Sequence, residues 1–446
     1  MRLTKALQIK SKQIDIISSF FDPESVEELA RRNKFVQRES PLSGMDFFLL
    51  CVFAHQKMDC LSLEDMCGEL YKRGVALTKQ SLQDRFNEHA VEFITALLNK
   101  ALSIKLNLGR IITSGIFNRI VIFDSTQVEL PETFSTKYRG HGGAASGSAL
   151  KLQYGYDLLS QKMLVLSVHS AVQPDRAQGL VGLQENDLRI EDLGYFQLQR
   201  LEQIGAGKAF FLSRYRFGIV VFEWKNAAYQ QIDLLELERS MQAGQRRTLN
   251  VFIGHEQKLP VRMVIEKVPA EVVAEKRRKL QYDPQIKRKS LSKKRLKLCS
   301  LNIYITNTTE EQLPCEQIRH YYSLRWQIEI IFKSWKSVYR IDQTKPMKLA
   351  RFECMHLGAL ILITITTNIM AVCRMHLLTA HSKELSEFRF FKLMKSSLEL
   401  FKQAIISSNQ TLLDFLVLLE KMALRHAVKQ AKAGKSTPFD ILNIAA

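Results

Sequence analysis

The sequence has no Cys-x-x-Cys pair, no internal repeat and no low-complexity tract, and it is short of acids, with 45 Asp and Glu against 64 Lys and Arg. Its seven cysteines, Cys51, Cys60, Cys67, Cys299, Cys315, Cys354 and Cys373, are scattered and odd in number. They argue against a disulfide framework, and free thiols in a reducing cytoplasm are the simpler reading. His55 lies between Cys51 and Cys60, but the spacing matches no familiar zinc module. A secretory leader is not expected either, because Lys5, Lys10, Lys12 and Asp15 interrupt the apolar residues at the start. Long apolar runs are equally scarce. The longest, from Leu357 to Cys373, carries Thr364, Thr366, Thr367 and Asn368 and is slightly short for a bilayer, so a buried helix is expected rather than a membrane span.

The shortage of acid leaves a net charge of +19 and a pI near 9.6. A chain this basic is drawn to polyanions, nucleic acid ahead of membrane surface. A hydrophobic fraction of 46% argues against disorder, and 446 residues can fill two to four structural units.

Residues 1–115 read as helices. Ser62 caps a helix opened by Glu64 and Asp65, Gly74 ends it, and Thr78 caps the next through Phe86. This could be a helix-turn-helix presenting Lys79, Gln80 and Gln83 to a DNA groove, or a plain helical bundle. From Arg119 the period changes. Ile120–Phe123 reads as a buried strand ending in Asp124, followed by strands at Leu152–Leu158 and Met163–Val172. Between the first two lies a flexible cationic loop, Lys137 to Gly143. A short strand, Leu188–Ile190, runs into Asp192, and a helix through Leu198–Ile204 leads to a strand at Phe210 and Phe211. The pattern predicts a mixed α/β sheet.

Further strands are expected at Leu249–Ile253 and Val261–Val268. After them, Glu275 to Leu298 holds eleven Lys or Arg against two acids, a net +9. Charge runs are usually solvated surface, but this one carries nearly half of the chain's excess charge and reads as a nucleic-acid contact. Lys287, Arg288, Lys289, Lys293, Lys294 and Arg295 are its candidates. The remainder is helical, with Leu412, Phe415, Leu416 and Leu419 forming an apolar stripe for packing or for a partner subunit.

Chemistry concentrates in the run from Tyr321 to Lys336. Tyr322, Arg325, Glu329 and Lys336 stand at offsets of zero, three, seven and fourteen, which on one continuous helix fall within an arc of about 60°. A carboxylate there can hold a divalent metal while Arg, Lys and Tyr grip phosphate oxygens. Two-metal phosphoryl transfer needs further acids from other elements. Asp124 and Asp192, each after a predicted strand, are suitable, with Asp157, Asp187 and Glu191 as competitors for the second place.

These residues resemble a known family. The spaced Tyr322, Arg325, Glu329 and Lys336 are similar to the Tyr-Arg-Glu-Lys signature of IS4-type insertion-sequence transposases. Asp124 in Val121-Ile122-Phe123-Asp124-Ser125-Thr126 and Asp192 in Asp192-Leu193-Gly194-Tyr195-Phe196 resemble the first two acids of its DDE triad. The resemblance implies a ribonuclease-H-like mixed-sheet core holding two Mg²⁺ ions, with Mn²⁺ as a substitute, on Asp124, Asp192 and Glu329. A β-rich insertion is expected between the second Asp and the Glu, and the 137 positions separating Asp192 from Glu329 are too many for one loop. The expected division is a helical DNA-binding region at 1–115, the core at 116–218 and 302–350, the basic insertion at 219–301, and a C-terminal helical region at 351–446.

The implied function is cut-and-paste DNA transposition by a homodimer on double-stranded DNA, in a bacterial cytoplasm close to the nucleoid, with no membrane role. A hairpin intermediate would need an aromatic to stack a displaced base, for which Tyr304 is the candidate. The rival readings are a metal-dependent nuclease without joining activity and a DNA-binding regulator with an inactive core.

Overall fold

The computed structural model describes residues 2–54, 61–104, 116–143, 145–174, 180–282, 293–430 and 436–442. His55, Cys60, Lys287, Arg288 and Lys289 lie outside the described residues.

Among the described residues, a single mixed sheet organises the fold. Its strands are β1 (Arg119–Glu129), β2 (Ala149–Asp157), β3 (Lys162–Ser170), β4 (Asp187–Glu191), β5 (Phe210–Arg214), β6 (Val221–Lys225), β7 (Ala228–Gln231), β8 (Arg246–Ile253), β9 (Leu259–Lys267) and β10 (Leu301–Thr306). Their spatial order is β3-β2-β1-β4-β5-β10-β9-β8-β6-β7. An antiparallel β1–β2–β3 meander beside the parallel neighbours β4 and β5 is the ribonuclease-H-like arrangement. Strands β6 to β9 extend this sheet through β10, so the segment expected as an insertion continues the same sheet instead of forming a separate one.

The two faces of the sheet have different covers, as the period-two alternation of a strand requires. Ile120, Ile122, Leu188, Ile190 and Leu212 point into a large core shared with helices from both ends of the chain. Phe211, Met263, Ile265 and Ile305 point into a second core with Leu201 and Ile204 of the helix Leu198–Ala206.

The apolar run near residue 360 is the central strut of the large core. Helix Leu349–His381 is buried along most of its length, as the sequence led us to expect. Two of its buried hydroxyls are satisfied inside the helix, with Thr364 and Thr367 donating to the carbonyls of Leu360 and Ile363, both at 2.8 Å, and Thr366 pairs with the Tyr339 hydroxyl. That removes the penalty of burying them unpaired. Phe47, Phe48 and Phe93 of the N-terminal helices belong to the same core, so those helices are not a detached module. Ser62 and Thr78 cap their helices as read from the sequence. Lys79 pairs with Glu64, and the Gln83 carbonyl accepts from Lys348.

Three expectations are corrected by packing. Asp124 is not at a strand end; β1 runs on to Glu129 because β2 pairs with it throughout. The loop after β1 is tied down, with Lys137 at 2.6 Å from Glu353 and the Tyr138 hydroxyl donating to the same carboxylate at 2.6 Å. Leu412, Phe415, Leu416 and Leu419 are all buried within the chain, so this stripe offers nothing to a second subunit.

Candidate active site

Three acidic side chains meet at the edge of the large core. Asp124 lies on the same face of β1 as Ile120 and Ile122, and Asp192 follows Leu188 and Ile190 at the end of β4. Parallel pairing of Phe123 with Glu191 sets the two aspartates side by side on adjacent strands. The third acid, Glu329, is in the first turns of helix Trp326–Tyr339, which is anchored by its buried Ile328, Ile331, Phe332 and Trp335.

One guanidinium joins all three. Arg325 reaches Asp124 at 2.9 Å, Glu329 at 2.5 Å and Asp192 at 4.0 Å. The sequence reading made Arg325 a phosphate grip. In the structure it lies among the three carboxylates, at a joint between two helices. Helix Cys315–Ser323 ends before Arg325, and the joint to Trp326–Tyr339 is closed by bonds from the amides of Leu324, Arg325, Gln327 and Ile328 to carbonyls three residues back. The stripe inferred from a uniform 100° step persists across this joint, with Arg325 on Glu329 and Lys336 on the Gln127 carbonyl of β1, so these side chains face the sheet.

The competitors for the second acid are engaged elsewhere. Glu191 points to the opposite face and accepts two hydrogen bonds from Arg200. Asp187 is bound by Arg119, and Asp157 caps the turn at Leu159 and Ser160. Asp192 keeps its side chain 47% exposed and makes no capping bond to the short helix that follows. A further trio, Glu310, Cys315 and Glu316, brings its ligand atoms within 4.8 Å, but Glu310 is occupied by Arg262 and the Cys315 amide.

Burial raises the Asp124 carboxyl to about 6, with Asp192 and Glu329 adding to the rise while the Ser125 amide and Arg325 oppose it. Below that pH the acid keeps its proton, which any metal must displace. Divalent-ion affinity should therefore fall about tenfold per pH unit as pH drops below about 6. Mn²⁺ titrations by calorimetry between pH 5 and 8 check this, and a flat profile would remove Asp124 from the ligand set.

The neighbouring signature residues are less alike in exposure than in sequence. Lys336 donates to the Gln127 carbonyl of β1 at 2.7 Å. Tyr322 is 7% exposed, and burial pushes its phenol up to about 12. The Arg214 guanidinium lies 5.3 Å from its ring centre. Tyr304 is only 4% exposed and packs on Tyr322 with ring centres 5.4 Å apart, so it presents no open face to a base. The exposed aromatic here is Trp326, beside Arg325 and 58% exposed. Sequence reasoning passed over both Arg214 and Trp326; a large apolar side chain next to a charged site residue was the available signal for the second. In the basic segment, Lys293 is exposed, Lys294 lies 3.7 Å from Asp233, and Arg295 is set over the Phe217 ring.

A family profile described as the transposase DDE domain matches residues 116–365, the stretch that contains the whole triad. The chain is 33% identical over 443 residues to the transposase of insertion sequence element IS231C from Bacillus thuringiensis subsp. berliner, covering 95% of this chain and 93% of that protein. It belongs to the IS4-type DDE transposases. Similarity to the transposase of IS1151 from Clostridium perfringens is 30% over 99% of this chain and 97% of the relative. Among solved structures, the piggyBac transposase synaptic complex with hairpin DNA matches at a TM-score of 0.47 and 11% identity, covering 95% of this chain and 87% of that one. Within the family reading, the three acids that converge on Arg325 are those that resemble the DDE triad in the sequence.

Proposed function

We propose that this transposase cleaves phosphodiesters at the ends of its insertion sequence and joins the freed 3′-hydroxyls to target DNA by cut-and-paste. The observation that carries this reading is the convergence of Asp124, Asp192 and Glu329 on one cation. Three hard oxygen donors from two strands and a helix suit divalent ions, and the proposal places two Mg²⁺, or Mn²⁺, on them. Such ions would supply activation of the attacking oxygen and stabilisation of the leaving one.

The protein's own groups supply position. Arg325 holds the carboxylates together, and its planar fork suits a phosphate equally well, so the proposal gives it both tasks in turn. Lys336 and Arg214 would contact phosphates flanking the cleaved bond, and the protonated Tyr322 would donate to another. Lys293, Lys294 and Arg295, on the exposed insertion helix Lys293–Leu298, would meet DNA further out, with the neighbouring Lys287, Arg288 and Lys289 as additional candidates. Trp326 replaces Tyr304 as the aromatic for a displaced base, because its ring is open. Joining two element ends to one target calls for a homodimer on DNA, formed through a surface other than the buried Leu412–Leu419 stripe. A chain with this partner works at the nucleoid.

The test is incubation with double-stranded element ends, Mg²⁺ and a supercoiled target. Joined products are expected; cleavage without joining would favour the nuclease reading, and binding without either would favour the regulator. Trp326→Ala should accumulate first-strand nicks if the second strand is cut through a hairpin, and unchanged product ratios would release Trp326 from that role.

A further inference from the structure

A buried ionic and aromatic cluster lies directly behind the two aspartates, on the opposite face of the sheet. Glu191, 6% exposed, accepts from Arg200 Nε at 2.9 Å and from the Arg200 terminal nitrogen at 2.8 Å. Arg200, itself 4% exposed, comes from the helix Leu198–Ala206. Arg189 lies 3.4 Å from Glu191, and its guanidinium sits 5.1 Å from the Phe123 ring centre. Tyr195 closes the cluster, edge to face with Phe123 at 5.8 Å and beneath Arg200 at 5.7 Å. Phe123 immediately precedes Asp124, and Glu191 immediately precedes Asp192.

The adjacency of Glu191 and Asp192 poses a choice that sequence chemistry does not resolve. Successive side chains of an extended segment point to opposite faces, so bringing one carboxylate to the front sends the other to the back. Both are acids, and a back-facing acid without a partner would pay the penalty of an unpaired buried charge. Rotating the segment would relieve it by carrying Glu191 toward solvent and Asp192 away from Asp124. On the reverse face Arg189 supplies a second positive charge 3.4 Å from Glu191, but only the bidentate Arg200 hydrogen-bonds it and fixes its orientation, which removes that incentive.

We propose that Arg200 is a positioning residue: by clamping Glu191 on the back of the sheet, it selects Asp192 as the carboxylate that faces Asp124 and Glu329. This inference rests on the metal-ligand reading of Asp192 given above. The clamp acts through the backbone of β4 and touches neither metal nor DNA.

Mn²⁺ affinity, measured calorimetrically on folded protein without DNA, separates the possibilities. Arg200→Met should weaken Mn²⁺ binding at least tenfold. Adding Glu191→Gln should restore it to within threefold, because the neutral amide has no charge to expose. Arg200→Lys, which keeps the charge but loses the two-pronged geometry, should fall between and serves if Arg200→Met does not fold. A purely structural Arg200 would lower the melting temperature of Arg200→Met yet leave its metal affinity at the wild-type value, and that result overturns the clamp. If Asp192→Asn binds Mn²⁺ as tightly as wild type, the ligand assignment and the clamp fail together, which is distinguishable from failure of the clamp alone.

Discussion

Replacing Asp124 or Asp192 by Asn, or Glu329 by Gln, is expected to lower cleavage at element ends by about three orders of magnitude or more, the several kcal/mol that metal-assisted charge stabilisation supplies. DNA affinity in a gel shift should stay within several-fold of wild type and drift toward tighter binding, since each change removes a negative charge facing phosphate. Folding should survive. Burial already favours the protonated Asp124, so a neutral amide of the same shape suits its environment. Arg325 retains two of its three carboxylate partners in each single variant. Wild-type cleavage by Asp192→Asn would sink the assignment, although Glu191 and Asp187 are poor substitutes while Arg200 and Arg119 hold them.

A large loss of stability is expected at a residue with no chemistry. Gly358 lies where helix Leu349–His381 crosses helix Gly44–Ala54, and a Cβ there would meet the Cys51 carbonyl oxygen at 2.3 Å and its carbon at 2.5 Å. Both are backbone atoms and cannot swing aside as a flexible side chain would. Gly358→Ala should therefore separate the helices and cost about 3 kcal/mol, toward the upper end for overpacked cores. Gly68 provides the control. It is also helical, but nothing lies within 4 Å of its added Cβ. Gly68→Ala should stabilise by up to about 1 kcal/mol through helix propensity alone. Urea unfolding midpoints of the two variants should move in opposite directions; a Gly358→Ala midpoint at or above wild type would show that the crossing can relax.

Much of the site was legible because its determinants are local. The charge surplus, the spaced Tyr322, Arg325, Glu329 and Lys336, and the apolar runs before Asp124 and Asp192 all lie within short windows of sequence. What periodicity could not supply was the surface that the stripe faces. A uniform helical step placed Arg325 in one stripe with Glu329 and Lys336, and that stripe holds across the joint, but the strand it faces, with Asp124 on it, lies far away in sequence. The same limit affected Tyr304, whose burial under Tyr322 depends on a separate helix packing over its strand.

The sequence by itself determined the basic character, the alternating strand and helix pattern, the acids and their spacing, and hence the family. These follow from propensity, patterning and residue chemistry, which act between near neighbours along the chain. Only the tertiary structure decided which acid of the Glu191–Asp192 pair faces the site, that Leu412–Leu419 is core and not interface, and that the segment expected as an insertion continues the same sheet. Each of those outcomes turns on which surface is left for burial after distant segments have packed. Arg200, the N-terminal helices and β10 make those choices from nine to several hundred positions away, and no local window contains them.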